Sequence, residues 1–270
     1  MKTRAITAFF FTIVMLGSIF LGTYTFSIFY LLLSLVALLE FYKMVKIGGI
    51  RPHRNIGIVV AALIYLTTAA YHFFQSELKY LLLIIPLVFA VFIAELYKKN
   101  KIPFANISYT FVGFIYITIP FCFFYSLGYL MDFNTYSYHF PLAFLLMLWA
   151  NDTGAYLFGM KLGKRKLFER HSPKKSWEGF FGGVFTSLVV SIIIAYRFTE
   201  VEPIVWAGMA AIISCFGTLG DLVESMLKRS LDVKDSGSFL PGHGGFLDRF
   251  DGLLIAAPIV YVYLYLLVKA

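Results

Sequence analysis

Residues Ser225–Asp251 read SMLKRSLDVKDSGSFLPGHGGFLDRFD and lie between two apolar runs, 203–223 and 251–268. The stretch holds Asp232, Asp235, Asp248 and Asp251, the cations Lys228, Arg229, Lys234 and Arg249, and His243, in a chain that is 60% hydrophobic. Each flanking run is long enough, at roughly 20 residues, to cross a bilayer as a helix. The polar stretch is therefore expected to connect two membrane helices outside the hydrocarbon. Asp248 and Asp251 are three apart at the start of the last run, so a helix beginning there would present both carboxylates from one face of its first turn. Pro241-Gly242-His243-Gly244-Gly245 can bring bare backbone amides against an anion. Carboxylates for a cation beside amides and lysines for phosphate predict a metal-phosphate site.

Breaking the rest of the chain at charges, prolines and glycines gives nine candidate spans, about 5–22, 26–44, 56–75, 79–96, 107–130, 140–159, 179–198, 203–223 and 251–268. These runs are apolar all round rather than alternating, which predicts helices and excludes a barrel. The expected fold is all-α, a polytopic integral membrane protein. With the N-terminus in the cytoplasm, the basic clusters at Lys2–Arg4, Lys43–Arg54, Lys98–Lys101, Lys161–Lys175 and Lys228–Arg249 all fall on one side. Of the 23 Lys and Arg, only Lys79, Arg197 and Lys269 are left over, which sets the orientation. The continuing apolar pattern and the lack of a small-residue cleavage site speak against a signal peptide behind Lys2 and Arg4. Cys122 and Cys215 sit in separate apolar runs and form no disulfide framework or thiolate cage.

Residues 1–105 read as a scaffold of about four helices with a weak hairpin repeat. Glu40-Phe41-Tyr42-Lys43 ends the second span and Glu95-Leu96-Tyr97-Lys98 the fourth, each Glu placed for a local ion pair with its Lys. Residues 106–270 read as the catalytic region of about five helices, with cytoplasmic loops at 160–178 and 224–250. The sixth span carries Asn151-Asp152-Thr153-Gly154, and an ionised Asp152 inside an apolar helix calls for a polar cavity and a partner. In His171-Ser172-Pro173-Lys174-Lys175-Ser176-Trp177, either serine can cap the seventh span, Pro173 suits its first position, and Lys174 and Lys175 face a phosphate. Gly159 to Arg165 fails as a P-loop, since the first gap is three residues and Arg165 replaces the hydroxyl. Gly179, Gly182 and Gly183 are spaced for close helix packing. Asp221 and Glu224 stand near the expected end of the eighth span, where the helix dipole disfavours negative charge and a divalent cation would relieve it.

Oxygen ligands without a His or Cys cluster suit a hard cation such as Mg²⁺, which completes its shell with substrate phosphates. His243 reads as a hydrogen-bond donor to phosphate or a turn residue rather than a ligand. No Ser-His-Asp or Cys-His pairing points to a covalent intermediate. Phosphoryl or nucleotidyl transfer needs only alignment and charge stabilisation.

The run from Ser225 through Lys228-Arg229, Lys234-Asp235, Gly237, Leu240-Pro241, His243-Gly244-Gly245-Phe246 and Asp248-Arg249-Phe250-Asp251 resembles the signature of the phosphatidate cytidylyltransferases. Asn151 to Tyr156, Ser172 to Gly179 and Gly220 to Ser225 are similar to other blocks of that family, so the resemblance covers about residues 140–255. It implies an inner-membrane enzyme that joins CTP to phosphatidic acid, giving CDP-diacylglycerol and pyrophosphate, with Mg²⁺, help from K⁺, a homodimer and no nucleic-acid partner. The expected roles are Asp221, Asp248 and Asp251 on the metal, with Asp152 beside them, and Lys228 and Arg229 neutralising charge in catalysis. Ser172, Lys174, Lys175, Ser225, Lys234, His243, Gly244, Gly245 and Arg249 are expected to bind substrate. A CTP-using enzyme for another lipid (an ether-lipid cytidylyltransferase or a polyprenol kinase) and an ion-coupled secondary transporter remain as alternatives.

Overall fold

The computed structural model describes residues 2–74, 78–132, 135–170, 172–233, 236–237 and 245–268, the side chains of residues 2–8 and 78 excepted. Among the described residues it is all-α apart from one short hairpin. The helices are α1 (Lys2–Phe20), α2 (Thr23–Ile47), α3 (Arg54–Phe74), α4 (Ile84–Leu96), α5 (Pro103–Gly113), α6 (Ile119–Ser126), α7 (His139–Leu162), α8 (Trp177–Arg197), α9 (Pro203–Ser230) and α10 (Asp251–Val268). Among the described residues seven helical stretches are long and apolar enough to cross a membrane: α2, α3, Lys79–Leu96, Pro103–Tyr129, α8, α9 and α10. The two other expected spans are helical as well. The described side chains of α1 give only the apolar segment Phe9–Phe20, and α7 is diluted by Asn151, Asp152 and Thr153.

The chain forms two compact units, Met1–Tyr136 with Ser230–Arg249, and Ser137–Arg229 with Phe250–Ala270. In the first unit α2 is deeply buried, with Phe26, Tyr30, Ala37, Leu38, Phe41, Met44 and Val45 fully enclosed. Tyr42 wedges between α3 and α5, because Gly57 and Gly113 leave room for its ring and its hydroxyl donates to the Thr110 carbonyl at 2.8 Å. The stretch expected as one span over 107–130 is interrupted by a π-helical turn, Phe114–Thr118. Pro120 follows at the start of α6 and can give no amide to the ladder, so the turn widens there. Burial and nearby Tyr129 hold the Tyr136 hydroxyl well above the usual phenol range, so it remains a donor to the Ile19 carbonyl.

The expected Glu–Lys pairs of the hairpin repeat do not form. Glu95 turns inward and takes His53 Nε2 at 2.6 Å, Asn100 at 2.8 Å and Asn106 at 2.7 Å. Lys98 Nζ instead approaches His53 Nδ1 at 3.3 Å. Glu40 is also buried and accepts the Leu247 amide at 2.8 Å. Both carboxylates find fixed donors inside the unit, where burial makes a satisfied hydrogen bond worth more than an exposed lysine outside.

In the second unit α7 and α8 approach through small residues. A Cβ on Gly183 would stand 2.8 Å from the Asn151 carbonyl oxygen, and one on Gly179 2.8 Å from that of Ala155. Thr186 donates across the same seam to the Ala150 carbonyl at 2.8 Å. The packing role expected of Gly179, Gly182 and Gly183 is therefore the one observed. α9 meets α10 in the same manner: a Cβ added to Gly252 would stand 3.5 Å from the Gly217 Cα.

Between α7 and α8 lies an antiparallel hairpin, β1 (Lys166–Phe168) with β2 (Ser172–Ser176), inside the expected 160–178 loop. The seventh span begins at Trp177, two residues ahead of the expected position 179. Ser172 and Pro173 are extended, and Ser176 alone is the N-cap, accepting the Gly179 amide at 3.1 Å.

These close seams yield a stability prediction. Gly183→Val should destabilise the detergent-solubilised protein by roughly 1–3 kcal/mol, because the new methyls meet the Asn151 backbone. Gly17→Ala, in α1 with open space around it, should be neutral or stabilising by up to about 1 kcal/mol. Thermal unfolding of the two variants beside the parent checks both.

Candidate active site

The second unit gathers most of the expected site. Gly220 packs so closely on the first residues of α10 that an added Cβ would lie 3.1 Å from the Gly252 Cα. The neighbouring Asp221 is thereby held beside Asp251, which opens α10. Asp152, from α7, completes a group of three carboxylates that act on one another electrostatically, all in the field of Lys175. Lys175 projects from β2 and pairs with Asp221 Oδ2 at 2.6 Å, with the Thr218 carbonyl at 3.4 Å as a further acceptor. Ser225, one turn along α9, donates to Asp221 Oδ1 at 3.3 Å.

A cavity of about 420 Å³ opens on this group. Its lining combines the polar Asn151, Asp152, Lys174, Lys175, Thr218 and Asp221 with the apolar Tyr156, Met160, Leu167 and Phe180. Such a mixture accommodates an anionic headgroup beside hydrocarbon. Asn151 is buried, and its Oδ1 has no hydrogen-bond partner among the described residues.

The site differs from the sequence expectation in several ways. α9 runs on to Ser230, so Asp221 lies more than two turns before its end. The dipole of the last turn therefore does not govern it. Glu224 is fully buried one turn on, and Lys228, expected to neutralise phosphate, stands 3.4 Å from it along the same helix. Asp248 and Asp251 do not share a helical turn. Asp248 lies in a 3₁₀ turn, Leu247–Arg249, and Asp251 begins α10 beyond Phe250. The 3₁₀ turn at Leu247–Arg249, with Phe250 between it and α10, breaks the α-helical register that the three-residue spacing suggested.

Asp248 belongs to the first unit, where its Oδ2 accepts the amides of Gly245 at 3.0 Å and Ser236 at 3.4 Å. The Gly245 amide is thus taken up by a carboxylate, whereas the sequence suggested a phosphate. Arg229 and Arg249 are exposed, and Ser172 is half-buried in β2. Lys234, His243 and Gly244 lie outside the described residues. Among the described residues no three His, Cys, Asp or Glu side chains close on a point as a metal cage would.

Two residues have roles that the sequence reading did not give them. Glu178, in the first turn of α8, accepts the amides of Lys164 at 3.0 Å and Arg165 at 3.2 Å, fixing the start of the hairpin that presents Lys174 and Lys175. Glu40 holds the segment that carries Asp248. Neither has a local signal, since its partners are distant in sequence.

Residues 2–267 match the cytidylyltransferase family. The chain is 39% identical over 267 residues to a phosphatidate cytidylyltransferase of Staphylococcus aureus (strain COL), covering 98% of this chain and 99% of the relative. A phosphatidate cytidylyltransferase of Bacillus subtilis (strain 168) is 35% identical over 270 residues, covering 97% and 96%. One of Staphylococcus haemolyticus (strain JCSC1435) is 35% identical over 267 residues. With a family model matching residues 2–267 and relatives aligned over nearly their whole length, this chain belongs to the cytidylyltransferase family.

Proposed function

We propose that the chain transfers the cytidylyl group of CTP to phosphatidic acid, giving CDP-diacylglycerol and pyrophosphate. The observation that carries this reading is the cavity whose lining combines Lys174, Lys175, Asp152 and Asp221 with apolar side chains, in a chain with seven described helical stretches of membrane-spanning length. Full-length relatives named phosphatidate cytidylyltransferase support it. Family membership disposes of the ion-coupled transporter. An ether-lipid or polyprenol substrate would meet the same residues, and it is separated by offering each lipid in turn.

In the step proposed, an oxygen of the lipid phosphate forms a bond to the α-phosphorus of CTP while the bond to the β-phosphate breaks and pyrophosphate leaves. Both reactants are polyanions, so the residues must first reduce repulsion. Lys174 and Lys175 do so from β2, and Ser176, by capping α8, keeps that strand aimed at the cavity. Tyr156, Met160, Leu167 and Phe180 hold the glycerol and upper acyl carbons beside the reacting phosphate, leaving the chains between the spans.

Three carboxylates with Lys175 among them make an oxygen-rich, net-negative group that fits a hard cation. Magnesium keeps several waters and needs only one or two carboxylates with substrate phosphates, so a closed cage is not required. Asp221 and Asp251, with Asp152 beside them, would hold it in this unit, and Asp248 is the further ligand proposed from its motif. Bound there, Mg²⁺ supplies charge neutralisation for the triphosphate. K⁺, a homodimer, nine spans with a cytoplasmic N-terminus, a plasma-membrane location and a cytoplasm-facing site complete the proposal. The one-sided basic clusters support the orientation.

Three outcomes are expected for purified enzyme in detergent, with pyrophosphate release from CTP as the readout. Release should require both phosphatidate and Mg²⁺; chelation should abolish it and added Mg²⁺ restore it, and turnover in a chelator would refute the metal role. Asp221→Asn and Asp248→Asn should each lower kcat/KM by about 10²–10³-fold without loss of folding. Lys174→Ala should raise the apparent KM for an anionic substrate several-fold, while Lys175→Ala should lower kcat as well, because it also leaves Asp221 without its close partner.

A further inference from the structure

Glu40 sits near the end of α2 and is 5% exposed. Its Oε2 accepts the amide of Leu247 at 2.8 Å, and the Phe246 amide is a second donor. Leu247 and Phe246 are themselves buried, so those amides have no water to turn to. The other oxygen, Oε1, lies against Gly237 and Gly245; a Cβ on Gly245 would come within 2.9 Å of it, and one on Gly237 would collide with the carboxylate outright. Immediately alongside, Asp248 takes the amides of Gly245 and Ser236. Glu40 and Asp248 feel one another's charge, so they are near neighbours in this unit. The amides of one short segment are thus divided between two carboxylates, one supplied by the segment itself and one by a helix about two hundred residues away.

We propose that Glu40 is a positioning residue for the cytidylyl transfer: it fixes the backbone at Phe246 and Leu247 and through it the carboxylate of the adjoining Asp248. This rests on the function proposed above. It gives the N-terminal helices a part in the reaction and explains two glycines of the polar stretch, which are bare because the Glu40 carboxylate occupies the space a side chain would need. The required feature is a hydrogen-bond acceptor at the right place, more than a negative charge.

Glu40→Leu, similar in size but without an acceptor, and Glu40→Gln, which keeps one, separate this role from simple packing. With the same pyrophosphate assay, Glu40→Leu should lower kcat at least about 10-fold, with the KM values for CTP and phosphatidate within about threefold of the parent. Glu40→Gln should recover kcat to within about fivefold. Hydrogen–deuterium exchange over residues 245–248 should show protected amides in the parent and Glu40→Gln, and faster exchange in Glu40→Leu. An unchanged kcat in Glu40→Leu, or a slow Glu40→Gln whose amides are still protected, would overturn the proposal. If Glu40→Leu does not fold, Glu40→Gln decides alone by the same two readouts. If the parent itself does not turn over CTP with phosphatidate, the function is wrong, whereas the exchange pattern still judges the contact.

Discussion

The 2.6 Å pair between Lys175 and Asp221 is the interaction on which the second unit's site depends. It joins a strand to the middle of a long membrane helix, and it can form only because backbone elements on both sides come unusually near. Ser176 caps α8 directly after Lys175, and Glu178 ties the hairpin's first residues to the same turn. Gly220 brings α9 against the head of α10, so that Asp251 joins Asp221 in the same electrostatic neighbourhood. One lysine among three carboxylates leaves a negative excess. That excess is what makes the group suited to a cation and, through it, to a triphosphate.

The same physical demand runs through the first unit. Charged groups near or inside an apolar solvent are retained only where fixed donors or partners meet them. Glu95 gathers His53, Asn100 and Asn106, and Glu40 gathers backbone amides of the segment bearing Asp248. A carboxylate satisfied by amides keeps its position without a counter-charge, whereas a lysine partner would leave on a flexible stem. The N-terminal helices therefore supply fixed partners to the segment that carries Asp248.

Glycine has two separate uses here. Along α7, α8, α9 and α10 it allows backbones to approach where lipid offers no hydrophobic drive for helix association. In the polar stretch, Gly237 and Gly245 make room for a side chain from α2. The first use has a readable spacing. The second has none, since its cause lies on another helix.

The sequence by itself determined the all-α membrane character, because runs of apolar residues near bilayer length permit little else. It also singled out the residues of the candidate site, since Asp152, Asp221 and Asp251 stand in or at the ends of apolar runs and Lys175 in the basic loop between two of them. Tertiary structure decided their partners and boundaries: the hairpin at 166–176, the continuation of α9 to Ser230, the separation of Asp248 from the α10 turn, and the inward aim of Glu40 and Glu95. Local spacing reports which faces a helix presents, but not which amide or lysine from a distant segment will arrive there. That is settled only when the whole chain packs and each buried charge takes the donors within reach.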